Sequence, residues 1–302
     1  MAEVHARKVY PSLVTITIMS EDFIVGKFMK ASFAAPNVVH VELCRKPVNS
    51  FTEEVWREYG ETFDKISQNP SVHAVVLSSA LPKLFTGGLD MNALSSLADL
   101  EPEPARRALQ MRPFIHTFQN SIGATERCPV PVIAAVHGPC IGLGIDILCA
   151  CDVRYGAANS SYSIKEVDVG LAADIGTLAR IGKITGNGSL AHELAYTARN
   201  FSAAEALQLG LLSKVVDGGK EEVVSAALSL AKVVAAKSPV AVIGTKRLLL
   251  HARDNSVQDN LEYTATWNSV MAQAPDMRDT LLGMKSKTKP KYAPLAKSQS
   301  KL

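Results

Sequence analysis

The chain has 302 residues, enough for one large domain or one domain with a smaller appendage. Apolar residues make up 47% and charged residues 20%, the proportions of an ordinary globular protein, and no apolar run reaches transmembrane length. The net charge of +3 is too small to point to nucleic acid, and much of it is local: residues 284–302 hold six lysines and no acid.

In chain order, Leu13 to Met19 (LVTITIM) and Val38 to Leu43 (VVHVEL) are rich in β-branched residues and read as strands. Asn49 or Ser50 can cap a helix from about Thr52 to Ile66, with Pro70 beyond its end. Ala74 to Leu77 (AVVL) is a short apolar strand. Val130 to Val136 (VPVIAAV) is another, and it runs directly into the glycine-broken segment HGPCIGLGID. Strands alternating with helices imply an α/β fold of crossover units on a largely parallel, buried sheet.

After about residue 185 the pattern turns helical. FSAAEALQLG supplies Ser202 as N-cap, Glu205 as its capping-box partner and Gly210 as the residue that ends the helix. Glu221–Ala235, Pro239–His251 and Val257–Met271 read as further helices. The expected division is a core over residues 1–215, a helical region over 216–283 and a flexible basic tail over 284–302.

The five cysteines, at 44, 128, 140, 149 and 151, are odd in number and lack a framework spacing. They read as small buried hydrophobes in a reducing compartment. Glu3 and the lack of a long apolar run near the N-terminus speak against a secretory signal.

Two glycine-rich turns carry the chemistry. FTGGLD spans Phe85 to Asp90 after a strand, and HGPCIGLGID spans His137 to Asp146 where a strand passes into a helix. Glycines allow close approach to the backbone, and helix N-termini present free N–H groups to negative charge. The second turn is no dinucleotide fingerprint, because Ile147 stands where a third glycine is needed. No Walker pattern, metal-ligand cluster or G-x-S-x-G elbow is present. Downstream, KEVDVGLAADIGT (165–177) sets Glu166, Asp168 and Asp174 in an otherwise apolar stretch, and charged groups are seldom buried there without a partner or a purpose.

FTGGLD together with HGPCIGLGIDILCACDVRYGAANSSYSIKEVDVGLAADIGTLARI resembles the crotonase superfamily of enoyl-CoA hydratases and isomerases, from about Val38 to Val216. KEVDVGLAAD is similar to the Δ3,5-Δ2,4-dienoyl-CoA isomerase branch. The resemblance implies a crotonase-like spiral of ββα units, C-terminal helices that assemble a homo-trimer or homo-hexamer, an acyl-CoA thioester as substrate and no cofactor. It implies an oxyanion hole from the backbone N–H groups of Leu89, after Gly87 and Gly88, and of Leu143, between Gly142 and Gly144. Asp146 and Glu166 fall where a hydratase carries its two glutamates, and Asp174 falls where hydratases carry glycine and this isomerase branch carries aspartate.

The isomerase reaction takes a proton from C2 of a 3,5-dienoyl thioester and delivers one to C6. The two carbons are several bonds apart, so two carboxyl groups are needed, one ionised and one protonated. Glu166 and Asp174 form the candidate pair, with the direction open; Asp146 polarises, positions or tunes them.

Asp168 is expected to be a structural acid paired with Arg154, Arg180 or a backbone N–H, sharing a face with Glu166 in an extended segment. Asp152 and Arg154 are expected to form an ion pair, and His137 to be a packed or hydrogen-bonded histidine. Asp90 follows the first glycine turn as a helix cap. Arg45 and Lys46 match a position that contacts CoA phosphates in relatives, with solvated charge as the alternative.

The competing activities are a 2-enoyl-CoA hydratase, a Δ3-Δ2-enoyl-CoA isomerase and a non-catalytic acyl-CoA- or RNA-binding member of the fold. The final Ser300-Lys301-Leu302 matches a peroxisomal address read by an import receptor.

Overall fold

A computed structural model describes residues 22–92 and 101–295. The expected strand at Leu13–Met19 and the Ser300-Lys301-Leu302 tripeptide lie outside the described residues.

Among the described residues the main sheet has seven strands in the order β1-β2-β3-β4-β5-β7-β10. They are β1 (Asp22–Val25), β2 (Met29–Ala35), β3 (Val38–Leu43), β4 (Ala74–Ser79), β5 (Val132–Val136), β7 (Val153–Ala157) and β10 (Lys214–Val216). From β3 to β10 every pairing is parallel, while β1, β2 and β3 form an antiparallel meander. A second, three-stranded sheet is ordered β6-β8-β9, from β6 (Pro139–Ile141), β8 (Ser161–Ser163) and β9 (Phe201–Ser202).

Every residue of β4 and β5 is buried, Ser78 and Ser79 included, which is why Ala74–Leu77 and β5 read as apolar runs with no alternation. Alternation still governs where the side chains go. Val75, Leu77, Val132, Ala134 and Val136 join the larger core cluster. Ala74, Val76, Ile133 and Ala135 face the other way, onto Val223, Ala227 and Ala231 of α8 (Lys220–Ala235), a stripe one residue wide at four-residue spacing. Thus α8 covers the second face of the sheet and belongs to the core.

On the larger core, α1 (Glu53–Ser67) buries Val55, Trp56, Tyr59, Phe63 and Ile66. Its acidic first turn and Lys65 in the last suit the helix dipole. Trp56 stacks on Phe118 of α2 (Pro104–Ile122), with ring centroids 4.8 Å apart. The two helices meet so closely that a Cβ on Gly60 would lie 3.0 Å from Ser121. The short α3 (Ala124–Arg127) precedes β5, and α4 (Leu143–Ala150) follows β6 with all its residues buried.

Beyond a 3-10 turn at Glu166–Val169 come α5 (Thr177–Ile184), α6 (Gly188–Thr197) and α7 (Ala203–Leu209). The capping box of Ser202 and Glu205 is formed, and Gly210 ends α7 in the left-handed region. The last three helices are α9 (Pro239–Asp254), α10 (Val257–Met271) and α11 (Pro275–Ser286).

The boundary expected at Met284 shifts, since α11 runs through it to Ser286. Beyond the helix, Thr288 N–H donates to Gly283 O at 2.9 Å and the Tyr292 hydroxyl meets Thr280 Oγ1 at 3.0 Å. The signals were present: Pro275 at the helix start, Asp276 in the first turn and Lys285 in the last. Val257, Leu261, Val270, Met277, Leu281 and Leu282 on α10 and α11 are exposed in the single chain.

Cys128, Cys140, Cys149 and Cys151 are buried free thiols, and burial pushes Cys149 and Cys151 up to about 12. The expected ion pair of Asp152 with Arg154 is replaced by a different one. Asp152 pairs with Lys246 of α9 at 2.7 Å, and Arg154 spends its guanidinium on the carbonyls of Leu211 and Cys151, both at 2.5 Å. Lys246 also donates to the carbonyls of Thr125 and Val130, so its buried ammonium is fully satisfied.

Candidate active site

The two glycine turns meet. The segment before Gly88 pairs with the strand before α4: Thr86 N–H donates to Pro139 O at 3.2 Å and Ile141 N–H to Thr86 O at 3.1 Å. Gly88 has φ +87°, and a Cβ there would lie 2.7 Å from Ile141 O and 3.6 Å from Leu143 N. Only glycine suits both the conformation and the close approach. Thr86 braces the turn, its hydroxyl donating to Asn49 O at 2.7 Å and accepting from Gly88 N–H at 3.0 Å. Asn49 is buried in turn, donating to Ser79 Oγ and Phe85 O.

Gly142 has φ +52°, and its N–H donates to Ser163 O at 2.9 Å. A Cβ on Gly144 would lie 2.7 Å from both Cys140 Sγ and Thr86 Cγ2, so this glycine lets the second turn close on the first. The N–H groups of Leu89 and Leu143 donate to no group among the described residues. Two unspent amides on apposed turns, one of them opening α4, can hold a carbonyl oxygen that gains negative charge.

Asp146 lies on α4, a helix with no solvent face, and is 1% exposed. Its Oδ1 accepts the Thr177 N–H at 2.6 Å. Burial, then the charge of Glu166, pushes its carboxyl up to about 7. Glu166 opens the 3-10 turn and stands beside the second glycine turn, its Oε1 3.4 Å from where a Cβ on Gly142 would be. Its other oxygen is buried with no hydrogen-bond partner among the described residues. Burial, reinforced by the charge of Asp174, raises its pKa.

Asp174 lies in the turn that leads into α5; the residue is exposed in the single chain, yet local burial still raises its carboxyl pKa. Asp146 therefore feels the charges of Glu166 and Asp174, Glu166 feels that of Asp174, and burial biases all three toward the neutral form. Val167, Val169 and Leu171 line the same stretch and are exposed, an apolar surface next to the carboxyls.

Asp168 is not part of this group. It pairs with Lys165 at 2.5 Å in solvent, not with Arg154 or Arg180, and the 3-10 turn replaces the extended segment that would have put it on the face of Glu166. Asp90 pairs with Arg45 at 2.9 Å and accepts the Asn92 N–H at 3.1 Å; the Arg45 hydrogen bond holds its carboxyl below the usual range. Arg45 also donates to Ser50 O at 2.8 Å, so its guanidinium is spent within the chain. Lys46 is exposed, with no partner among the described residues. His137 is buried, with Nε2 2.8 Å from Leu81 O and its pKa lowered by burial.

Two contributions have no local signal in the sequence. Gln119 Nε2 donates to Asp174 O at 2.6 Å across 55 positions, and the Thr177 N–H serves Asp146 across 31.

The family described as Enoyl-CoA hydratase/isomerase matches residues 34–294. The chain belongs to this family. It is 46% identical over 252 residues to the human "Delta(3,5)-Delta(2,4)-dienoyl-CoA isomerase, mitochondrial", covering 82% of this chain and 76% of that protein. It is 42% identical over 251 residues to the Arabidopsis thaliana "Delta(3,5)-Delta(2,4)-dienoyl-CoA isomerase, peroxisomal", covering 82% of this chain and 89% of that one. Among solved structures, an enoyl-CoA hydratase from Bacillus anthracis superposes with a TM-score of 0.79 at 26% identity, covering 88% of this chain and 99% of the other. The crotonase fold of this family is thus the fold of the chain.

Proposed function

We propose that the protein isomerises 3,5-dienoyl-CoA to 2,4-dienoyl-CoA in fatty-acid oxidation. The observation that carries this reading is Asp174, a third carboxyl that Glu166 and Asp146 both sense electrostatically. Relatives named for this activity at 42–46% identity support it.

The Leu89 and Leu143 amides receive the thioester oxygen, each good donor stabilising the developing oxyanion by about 3–4 kcal/mol. One of Glu166 and Asp174 takes the C2 proton while the other gives a proton to C6. Electrons move from the C2–H bond through the diene, so the substrate neither gains nor loses protons overall. The pair ends each turnover with its protonation exchanged, and the exposure of Asp174 gives water access to reset it. Asp146 holds the start of α5 through Thr177 N–H, and burial with the charges of Glu166 and Asp174 keeps it toward its neutral form beside the pair. No cofactor is needed for this sequence of proton transfers.

The reading extends to a homo-trimer or homo-hexamer, supported by the exposed apolar residues of α10 and α11. It also extends to the peroxisome, through an import receptor reading Ser300-Lys301-Leu302. The Arabidopsis relative is named peroxisomal and the human one mitochondrial, so removal of the tripeptide with imaging of the tagged chain decides the compartment.

The deciding assay pairs a 3,5-dienoyl-CoA with a 2-enoyl-CoA on purified protein, following the ultraviolet band of the conjugated dienoyl thioester and the loss of the enoyl band. Fast dienoyl formation with little hydration is expected. Hydration alone makes the protein a hydratase using Asp146 and Glu166, and silence in both favours an acyl-CoA-binding role.

A further inference from the structure

The Asp174 turn is pinned at two points. At its far end Thr177 N–H is held by Asp146. At its near end the carbonyl of Asp174 itself accepts a hydrogen bond from Gln119 Nε2 at 2.6 Å. Among the described residues this is the one donor to that carbonyl and the one hydrogen bond between α2 and residues 171–176. Ala173 and Ile175, on either side, are buried and anchor the chain at those two positions. Arg180 lies across Gly176, leaving no room for a Cβ, and is itself clamped by Glu126 through two hydrogen bonds of 3.1 and 2.9 Å. Among the described residues, no other hydrogen bond reaches the Asp174 carbonyl.

Gln119 sits on a rigid mount. Its neighbour Phe118 is buried against Trp56 with the rings stacked, Ile122 is fully buried, and α1 and α2 are in close contact at Gly60 and Ser121. The direction of a carbonyl sets ψ of its residue, and ψ of Asp174 bears on where its side chain points.

We propose that Gln119 is the positioning residue that aims the Asp174 carboxyl at the substrate, by holding the Asp174 carbonyl from α2. The inference rests on Asp174 acting in proton transfer. The helix that carries Gln119 lies far away in sequence, so the reacting acid is oriented by a part of the chain outside the KEVDVGLAAD segment.

The test compares wild type, Gln119→Leu and Gln119→Glu, both of which lack the donor. Two quantities are read: steady-state turnover of a 3,5-dienoyl-CoA, and amide hydrogen exchange of residues 171–176 by peptide mass. The expected result is a kcat lower by about 10- to 100-fold with KM little changed, as a misplacement of about 1 Å at a reacting group produces. Exchange quickens in 171–176 and not in the β4–β5 core. In an Asp174→Asn background the same substitution leaves the residual kcat within about twofold, because the group it aims is gone. Wild-type kcat with unchanged exchange overturns the proposal, as does an equal kcat loss in both backgrounds. If the wild type does not convert the dienoyl substrate, the functional reading fails separately, and the exchange measurement still decides whether Gln119 holds the turn.

Discussion

Thr177 N–H donates to Asp146 Oδ1 at 2.6 Å, which joins the fully buried helix α4 to the first residue of α5. A carboxyl with no access to water therefore spends one oxygen on backbone, and the turn bearing Asp174 is held at that end. This makes Asp146 separable into two roles: hydrogen-bond acceptor and buried charge. Asparagine keeps the first and removes the second.

Asp146→Asn therefore tests the buried charge. The Asp146 carboxyl is raised from 3.8 to about 7, so it favours folding fully at low pH and that contribution fades as pH rises. The loss begins near pH 4, where the unfolded chain ionises, and is complete above about pH 7. At about 1.4 kcal/mol per unit, the wild type should lose on the order of 4 kcal/mol relative to the variant across that window. Urea unfolding of both proteins at pH 4.5 and pH 8, conditions chosen at roughly the two ends of the window, should show the variant gaining at the higher pH. Parallel pH dependences would remove the buried charge from the account.

Glu166→Gln and Asp174→Asn should each lower kcat for the dienoyl substrate by about 10²- to 10⁴-fold, the range of a lost general acid or base. Both carboxyl pKa values are raised, so the wild-type rate should fall in acid, where the base protonates, and in alkali, where the acid ionises. Near-normal turnover in Asp174→Asn would sink the isomerase assignment.

Two separate carboxyls make an isotopic prediction. In D2O the exposed Asp174 exchanges with solvent between turnovers, so the product should carry deuterium at C6 when Asp174 is the donor. A single acid that shuttles the same proton would carry the C2 hydrogen across. Mass spectrometry of the product after rapid quenching separates the two.

Gly88→Ala should damage the amide pair without touching any carboxyl. A left-handed backbone costs a non-glycine residue about 1–2 kcal/mol. The new Cβ would also press on Ile141 O at 2.7 Å, next to the Leu143 amide. The expected outcome is a kcat loss of about 10²-fold or more. Unchanged kcat would place the oxyanion elsewhere.

The clasp between α9 and the core is tested by Lys246→Met. Removing the ammonium leaves the Asp152 carboxyl and the carbonyls of Thr125 and Val130 without it, which should cost about 3–5 kcal/mol. Thermal unfolding should fall by on the order of 10 °C. Adding Asp152→Asn should recover part of that loss, since the stranded charge is then gone.

The elements legible in sequence were those that build their own local order. α10 follows its expected span of Val257–Met271, and the Ser202–Glu205 capping box forms between neighbours three residues apart. β4 and β5 could be recognised as buried strands because β-branched runs of that length suit little else. The glycine turns and the acids at 146, 166 and 174 were readable because their residue types are costly or unusual where they stand. What the sequence by itself determined is therefore the inventory: parallel crossover units, two close-approach turns and three acids in apolar surroundings.

Only the tertiary structure decided the partners. Asp152 chose Lys246, 94 positions away, over its neighbour Arg154. Asp168 turned to solvent and Lys165 because the chain winds into a 3-10 turn at Glu166. Arg45 was taken by Asp90, and Gln119 reached the Asp174 carbonyl from α2. The reason is physical: a hydrogen bond or ion pair acts over about 3 Å, and packing sets which groups come that close. Sequence spacing carries no record of contacts made by elements that meet only when the core closes.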